Sequence, residues 1–208
     1  MTPVVVKVGG AVAGALPSLP EGAVVVHGAG PQISAEMERL GIPVRFVRGR
    51  RITDAATLAV VVESLTAVNE ALCAAIPNSV GLVGVLEATP VPELGLVGEP
   101  LPLAPPQVLD ALAAGKVPVI APLASGLNVN ADDAAAALAV ALGAERLLFV
   151  TDVPGLLVAD EVVAAIDADA AEELLPGLEG GIVPKLLAAV VAVRGGVPAH
   201  IGATAVLP

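Results

Sequence analysis

Val4-Val5-Val6-Lys7-Val8-Gly9-Gly10, close to the start of the chain, is an apolar run that ends in two glycines. Its apolar residues are continuous rather than alternating, which is typical of a parallel strand covered on both faces of its sheet. Similar runs follow at residues 23–26, 80–85, 117–120 and 146–150. The sequence therefore predicts a buried, mostly parallel sheet.

Helical patterns lie between these runs. They begin near proline or a capping residue and often end at glycine, at residues 31–40, 54–76, 106–114, 131–142 and 184–193. Alternation of strands and helices predicts an α/β protein, a three-layer α/β/α sandwich with a mostly parallel central sheet. Residues 87–100, rich in proline and glycine, interrupt this order and predict a hairpin or flap beside the sheet.

The composition favours a globular protein that binds small molecules. Of the 208 residues, 56% are hydrophobic and 15% are charged, which excludes a disordered chain. A net charge of −11 disfavours binding to nucleic acids and to anionic membrane surfaces. Phe46 and Phe149 are the only aromatic residues, so no stacking platform for single strands is expected.

The few cysteines and histidines indicate a reducing, cytoplasmic setting. Cys73 has no second cysteine to pair with, and the two histidines, His27 and His200, are too few for a zinc site. Charge-free segments are interrupted before the roughly 18 residues that a membrane span needs. Because Lys7 interrupts the apolar start, we expect no signal peptide and a mature chain that begins at Met1.

Two of the three lysines lie beside glycine pairs. Lys7 precedes Gly9-Gly10, and Lys185 follows Gly180-Gly181. Ligands of open parallel sheets bind beyond the carboxyl ends of the strands, where glycine lets the backbone approach an anion. Lys185 also lies in the first turn of a predicted helix, where the dipole disfavours a cation unless an anion is shared. Both lysines are candidates for phosphate binding, although a strand-end lysine can also simply extend to water.

A glycine-rich loop, His27-Gly28-Ala29-Gly30-Pro31, joins the second strand to a helix. Free N–H groups at a helix start, together with the helix dipole, can hold a carboxylate or a phosphate. The loop is not a dinucleotide fingerprint, because Ile33 replaces the third glycine. A tight structural turn is the alternative.

Two polar segments supply further candidates. Residues 48–51 contain three of the seven arginines, and guanidinium groups bind carboxylates through paired hydrogen bonds. Residues 128–133 contain two asparagines and two aspartates before an alanine-rich helix, although one cap requires only one such residue. A solvated charge cluster and a solvated helix cap are the respective alternatives.

The predicted helix of residues 54–76 has an apolar face wider than contact with one sheet requires. After its first residue it carries only two charges, Glu63 and Glu70. An oligomer interface would explain this face, and burial within its own monomer is the alternative.

Six motifs occur in a characteristic order. They are Lys7-x-Gly9-Gly10, His27-Gly-Ala-Gly-Pro-Gln, Gly49-x-Arg51-x-Thr53, Asn128-x-Asn130-Ala-Asp132, Thr151-Asp-Val-x-Gly155-Leu and Gly180-Gly-x-x-Pro-Lys185. Together they resemble the amino acid kinase family, and within it the acetylglutamate kinases, from Val4 to about His200. The resemblance implies one domain, residues 1–208, with a substrate and dimerisation lobe up to about residue 122 and a nucleotide-binding lobe from about residue 123.

The resemblance also implies a reaction. The ATP γ-phosphoryl group would be transferred to the side-chain carboxylate of N-acetyl-L-glutamate, giving N-acetyl-L-glutamyl 5-phosphate in arginine biosynthesis. Mg²⁺ would be held mainly through the nucleotide phosphates. Catalysis then consists of placing two anions in line and neutralising charge on the transferring group.

Site residues follow from the same resemblance. Lys7 and Lys185 would contact the phosphoryl group, and Asp132 would hold both lysines. The substrate would be bound by Gly28, Ala29, Arg51 and Asn128, and the nucleotide by Gly9, Gly10, Thr151, Asp152, Gly155 and Gly181. Backbone N–H groups of Gly10, Gly28 and Ala29 would line the acceptor carboxylate and the phosphoryl oxygens. A plain Pro-Gly turn is the alternative for residues 151–156.

Several features depart from the family pattern. Ala29 replaces a frequent glycine, which is acceptable if its φ is negative. The first helical segment, residues 11–20, and the region after residue 201 are short. No extra helix precedes the first strand, so we expect a homodimer, formed through the helix of residues 54–76, that arginine does not inhibit.

Two other functions are compatible with these motifs. A kinase for aminoadipate or glutamate displayed on an acidic carrier protein would need a basic docking surface, for which only the arginines of residues 45–51 qualify. A non-catalytic sensor of amino acids or nucleotides would not need two lysines and Asp132.

Overall fold

The computed structural model describes residues 2–9, 18–151, 153–158 and 161–208. Its strands are β1 (Val4–Val8), β2 (Ala23–His27), β3 (Phe46–Val47), β4 (Arg50–Arg51), β5 (Ser79–Leu82), β6 (Ala88–Pro90), β7 (Val97–Pro100), β8 (Val117–Ile120), β9 (Leu123–Ala124), β10 (Leu127–Val129), β11 (Arg146–Val150), β12 (Leu157–Val158), β13 (Glu161–Val162), β14 (Ala165–Asp167), β15 (Ala199–Ile201) and β16 (Thr204–Leu207). Its α-helices are α1 (Gly30–Arg39), α2 (Ala55–Ala75), α3 (Pro106–Ala113), α4 (Ala131–Ala141), α5 (Ala168–Leu174) and α6 (Ile182–Arg194).

An eight-stranded sheet forms the centre of the described residues, in the order β14-β16-β15-β11-β1-β2-β8-β5. Neighbouring strands from β15 to β5 are parallel, and β16 is antiparallel to β15. β1 occupies the middle, and all five of its residues are buried. The continuous valine run therefore marks a central strand, and the predicted mostly parallel α/β fold is confirmed.

Alternate residues of the central strands face opposite helical layers, as the pleat of a strand requires. Val5 and Val26 belong to the core beneath α4 and α6, whereas Val6 and Val25 belong to the core beneath α1 and α2. These two cores produce the predicted three layers. Lys7 is two residues after Val5 and therefore faces the same side of the sheet, so its side chain points towards α4.

Most predicted elements are confirmed, and their bounds shift slightly. Of the predicted run of residues 80–85, the first three belong to β5, which ends at Leu82, and Gly84 just beyond it has φ 71°. α6 starts at Ile182, two residues before the predicted helix. Residues 87–100 contain the antiparallel pair β6 and β7, within a second sheet of order β6-β7-β10-β9. Of the short first helical segment, residues 11–17 lie outside the described residues.

α2 has two different faces. The Asp54 side chain caps it by accepting a hydrogen bond from the N–H of Thr57 at 2.7 Å. Leu65 and Leu72 are buried, whereas Val62 is 41% exposed. Among the helices of the described residues, α2 is the one that is long and apolar enough to cross a membrane by those two criteria. Here its inner face covers the sheet, and part of its apolar surface remains exposed.

Candidate active site

The candidate site lies at the carboxyl edge of the central sheet. Val8, the last residue of β1, pairs with His27 in β2 and with Val150 in β11. The residues that follow these three strand ends, Gly9, Gly28 and Thr151, line a cavity of about 480 Å³, which we call the first cavity. This is the position at which open parallel sheets bind ligands.

Asp132 joins the two candidate lysines inside the first cavity. Lys7 Nζ lies 2.8 Å from Asp132 Oδ1, and Lys185 Nζ lies 3.7 Å from Asp132 Oδ2. The side chains of Lys7 and Asp132 are each 7% exposed, and that of Lys185 is 15% exposed. Two ammonium groups thus share one carboxylate, which leaves a net positive charge with little access to water. Such a cluster favours binding of an anion.

The start of α4 explains how Asp132 is placed. The Asn130 side chain caps the helix, because its Oδ1 accepts hydrogen bonds from the N–H groups of Asp132 at 2.8 Å and Asp133 at 3.2 Å. Asp132 is therefore not needed as the cap, and its carboxylate faces Lys7. A carboxylate in the first turn is also stabilised by the helix dipole.

Lys185 reaches the same cavity from α6. Its Nζ donates a hydrogen bond to the carbonyl oxygen of Gly181 at 3.3 Å, so the side chain folds back towards the helix start. There the partial positive charge of the helix N-terminus opposes the ammonium group, and a bound anion would relieve this repulsion.

Arg51 is a buried cation at the end of the β3–β4 hairpin. Its Nη2 donates to Ser34 Oγ at 2.9 Å and to the carbonyl oxygen of Gly30 at 3.3 Å, and its guanidinium lies 4.6 Å from the centre of the Phe46 ring. Burial lowers the pKa of Arg51. Within the described part of the chain no carboxylate pairs with it, so this guanidinium is suited to a carboxylate supplied by a ligand.

A partly buried hydrogen-bond chain connects Asn128 to Arg51. Asn128 Nδ2 donates to Thr53 Oγ1 at 3.0 Å, and the Thr53 hydroxyl donates to the carbonyl oxygen of Arg51 at 2.9 Å. Sequence reasoning did not single out Thr53 or Ser34 as site residues. Thr53 appeared only as the last position of a motif, and nothing in the sequence indicates that Ser34 contacts Arg51.

The glycine-rich loop differs from the expectation at one position. Ala29 has φ −137°, which is ordinary for a residue with a side chain, so alanine is accepted there. Gly28 lines the first cavity, but its N–H donates to the carbonyl oxygen of Val8 at 3.1 Å. The expectation that this N–H lines the acceptor carboxylate is therefore wrong in this structure. Among the described residues, the N–H groups of Ala29 and Gly30 have no such partner and remain donors for a ligand.

A second cavity, of about 450 Å³, adjoins the first. Both are lined by Thr151, Gly181 and Lys185. Gly155 also lines the second cavity, and a side chain there would collide with the hydroxyl of Thr204. Gly155 thus has a packing role, whatever the cavity binds. Gly10 and Asp152, two of the expected nucleotide-binding residues, lie outside the described residues.

His27 anchors the glycine-rich loop to α2. Asn69 Nδ2 lies 3.1 Å from His27 Nε2 and also donates to the carbonyl oxygen of Val119 at 2.9 Å. The ring accepts this hydrogen bond at Nε2, so it is neutral. Burial accordingly lowers the pKa of His27 to about 4.

This lowered pKa predicts that the protein loses stability in mild acid. The unfolded chain binds a proton at His27 near pH 6.5, whereas the folded chain does so only near pH 4. The contribution of neutral His27 to stability is therefore fully present above about pH 6.5 and is lost as the pH decreases towards 4, by roughly 3 kcal/mol at most. Urea unfolding between pH 7 and pH 4.5 measures how the free energy of unfolding depends on pH. In His27→Gln the part of this dependence that is due to His27 should disappear. An identical pH dependence in the two proteins would contradict a lowered pKa for His27.

Comparisons with known proteins show the family of the chain. The profile described as "Amino acid kinase family" matches residues 2–203. An acetylglutamate kinase from Frankia casuarinae is 43% identical over 206 residues, which cover 86% of this chain and 57% of that protein. One from Rubrobacter xylanophilus is 45% identical over 226 residues, which cover 97% of this chain and 88% of that protein.

Among solved structures, the crystal structure of smu.665 from Streptococcus mutans UA159 superposes with a TM-score of 0.90 at 26% identity and covers 98% of both chains. The family profile spans nearly the whole sequence, and the structural superposition extends equally far. The chain belongs to the amino acid kinase family.

Proposed function

We propose that the chain is an acetylglutamate kinase, which transfers the γ-phosphoryl group of ATP to the side-chain carboxylate of N-acetyl-L-glutamate. The observation that carries this proposal is the Lys7–Asp132–Lys185 cluster, at the place where two cavities meet. One cavity contains a buried guanidinium suited to an amino-acid carboxylate. The similarity to acetylglutamate kinases over most of the chain supports the choice of acceptor.

In this proposal the acceptor occupies the first cavity. Arg51 binds its α-carboxylate, Asn128 binds its acetamido group, and its side-chain carboxylate points towards Lys7. The nucleotide occupies the second cavity beside Thr151 and Gly155, with its γ-phosphate at Lys185. The boundary between a substrate lobe and a nucleotide lobe, near residue 122, is part of the same proposal.

The chemical step is an in-line displacement. A carboxylate oxygen of the acceptor forms a bond to the γ-phosphorus, the bond from that phosphorus to the β,γ-bridging oxygen breaks, and ADP leaves with the electron pair. The acceptor is already ionised at neutral pH, so no general base is required. Lys7 and Lys185 neutralise charge on the transferring group, and the N–H groups of Ala29 and Gly30 add backbone donors.

Mg²⁺ belongs to this proposal as an ion held mainly through the nucleotide phosphates, where it would neutralise part of their charge. In the part of the chain that the structure describes, no group of three or more His, Cys, Asp or Glu side chains could hold a metal ion. Cytoplasmic location and insensitivity to arginine stay predictions.

Assay of ADP release with four acceptors tests the proposal. N-acetyl-L-glutamate should give the highest kcat/KM, above glutamate, aspartate and aminoadipate. A higher kcat/KM with aminoadipate or glutamate would favour the carrier-linked kinase, and ligand binding without turnover would favour a sensor. Of the four arginines in residues 45–51, Arg51 is buried and Arg50 pairs with Asp133 and Glu99, so the basic surface that the carrier-linked kinase would need is reduced to Arg45 and Arg48.

Arg51→Ala should raise KM for N-acetyl-L-glutamate by roughly 10- to 100-fold and leave KM for ATP nearly unchanged, because a charge-assisted pair with the α-carboxylate is lost. Arg51→Lys should recover only part of the loss, since an ammonium group cannot form the paired hydrogen bonds. Arg146→Ala is the control, because in the described part of the chain Arg146 pairs with Glu145 alone, at the surface. A raised KM for ATP alone would contradict the assignment of Arg51 to the acceptor half of the site.

We also propose a homodimer through the helix predicted at residues 54–76, which is α2 with its cap. Its outer face presents Val62 and several alanines, whereas its inner face already covers the sheet. Val62→Arg should convert the dimer to a monomer in sedimentation velocity, since the charge would be buried at the interface. Leu109→Arg, at a similarly exposed position of α3, should not. A wild-type monomer at micromolar concentration would contradict this assembly.

A further inference from the structure

A third cavity, of about 360 Å³, is lined by residues of both α4 and α6. Its wall is apolar and consists of Ala136, Ala137, Val140, Leu187, Ala188 and Val191. Leu187 is 42% exposed and Val191 is 57% exposed, so part of this wall faces water. The volume lies within the range of about 300 to 1,000 Å³ that is typical of small-molecule sites.

Charges of both signs stand at the rim of the third cavity. Arg50 Nη2 lies 2.9 Å from Asp133 Oδ2, and Arg50 Nη1 lies 3.6 Å from Glu99 Oε2. One guanidinium thus serves two carboxylates, and burial raises the pKa of Asp133 despite it. Arg48 also lines the cavity, and it has no ion-pair partner among the described residues.

The third cavity is distinct from the candidate active site, although the two share Arg50 and Asn130. Two pairs of neighbours in the sequence divide between them. Asp132 and Lys185 line the first cavity, whereas the adjacent Asp133 and Pro184 line the third. A ligand of the third cavity would therefore contact residues that are adjacent in the sequence to those that would bind the acceptor and the phosphoryl group.

We propose that the third cavity binds an α-amino acid with an apolar side chain of about the size of leucine. Its ammonium group would face Asp133 and Glu99, which share a single arginine, and its carboxylate would face Arg48. Its side chain would cover the apolar wall formed by α4 and α6. A ligand with only an ammonium group would leave Arg48 without a carboxylate, and one with only a carboxylate would leave Asp133 and Glu99 to share Arg50 alone.

Calorimetric titration of the full chain with L-leucine tests this proposal. L-leucine should bind at least about 10-fold more tightly than each of three analogues that keep the side chain. These are leucinamide, which has only the ammonium group, and N-acetyl-L-leucine and 4-methylpentanoate, which have only the carboxylate. Equal affinity for any one of them would overturn the zwitterion assignment, and absence of L-leucine binding up to about 10 mM would overturn the site.

Two variants locate the binding. Val191→Asp places a charge against the apolar wall at an exposed position, so folding should not suffer, and Arg48→Asn removes the unpaired cation. Asparagine suits this position because Arg48 has φ 47°, in the left-handed region that asparagine tolerates. Each variant should weaken L-leucine binding at least about 10-fold, and Leu109→Asp on α3 should not. Unchanged binding to Val191→Asp would place the amino acid elsewhere and overturn the proposal.

Discussion

Lys7→Ala and Lys185→Ala should each lower kcat by roughly 100-fold or more, with a smaller effect on either KM. Both ammonium groups lie within 3.7 Å of the Asp132 carboxylate, so both are held before any substrate arrives. Their charge is then already in position when negative charge spreads over the oxygens of the transferring phosphoryl group. Steady-state ADP release with N-acetyl-L-glutamate measures the loss.

Lys116→Ala is the matched control, because Lys116 is the remaining lysine of the chain and is exposed outside the site. It should retain wild-type turnover. Lys7→Met keeps an apolar stem in the buried position and separates loss of charge from loss of packing. Wild-type turnover in both Lys7→Met and Lys185→Ala would disprove the phosphoryl-transfer mechanism.

Asp132→Asn should abolish turnover and also lower the free energy of unfolding by about 3 kcal/mol or more. The Lys7 and Asp132 side chains are each only 7% exposed, so removal of the acid leaves a buried ammonium group without its partner. The same change frees both lysines from the positions that the reaction would require. Guanidinium unfolding and ADP release follow the two effects in parallel.

A double variant distinguishes stability from catalysis. Lys7→Met with Asp132→Leu replaces the buried ion pair by apolar side chains, so most of the stability should return, whereas turnover should not. Asp133→Asn is the neighbouring control: Asp133 pairs with Arg50 and faces the third cavity, so its loss should leave most of kcat intact. Turnover close to wild type in Asp132→Asn would remove the role proposed for the shared carboxylate.

The fold could be predicted largely from local patterns. β1 is a central strand because its continuous valines can be covered on both faces, and α4 begins where Asn130 offers a cap. The missed elements are short. The β3–β4 hairpin turns through Arg48 and Gly49, both with positive φ, and arginine is an unusual residue in such a turn.

The candidate site was predicted less completely. Lys7 and Lys185 carry unusual charges beside glycine pairs, so sequence reasoning could select them, whereas the role of Asp132 followed from the family resemblance, because an acid at a helix start is common. Ser34 and Thr53 carry no such signal, because hydroxyl groups are common in loops and helices, and only their contacts with Arg51 connect them to the site.

Sequence alone was sufficient where the cause is local: apolar periodicity, helix caps and ordered motifs each depend on residues a few positions apart. Tertiary structure was required where a feature depends on residues that are far apart in the chain and close in space. The two lysines, Lys7 and Lys185, are far from each other and from Asp132 in the chain. Both meet the Asp132 carboxylate because parallel strands end at the same edge of the sheet. The assignment of the Gly28 N–H to Val8, and the division of neighbouring residues between two cavities, likewise arise from packing, which no local pattern encodes.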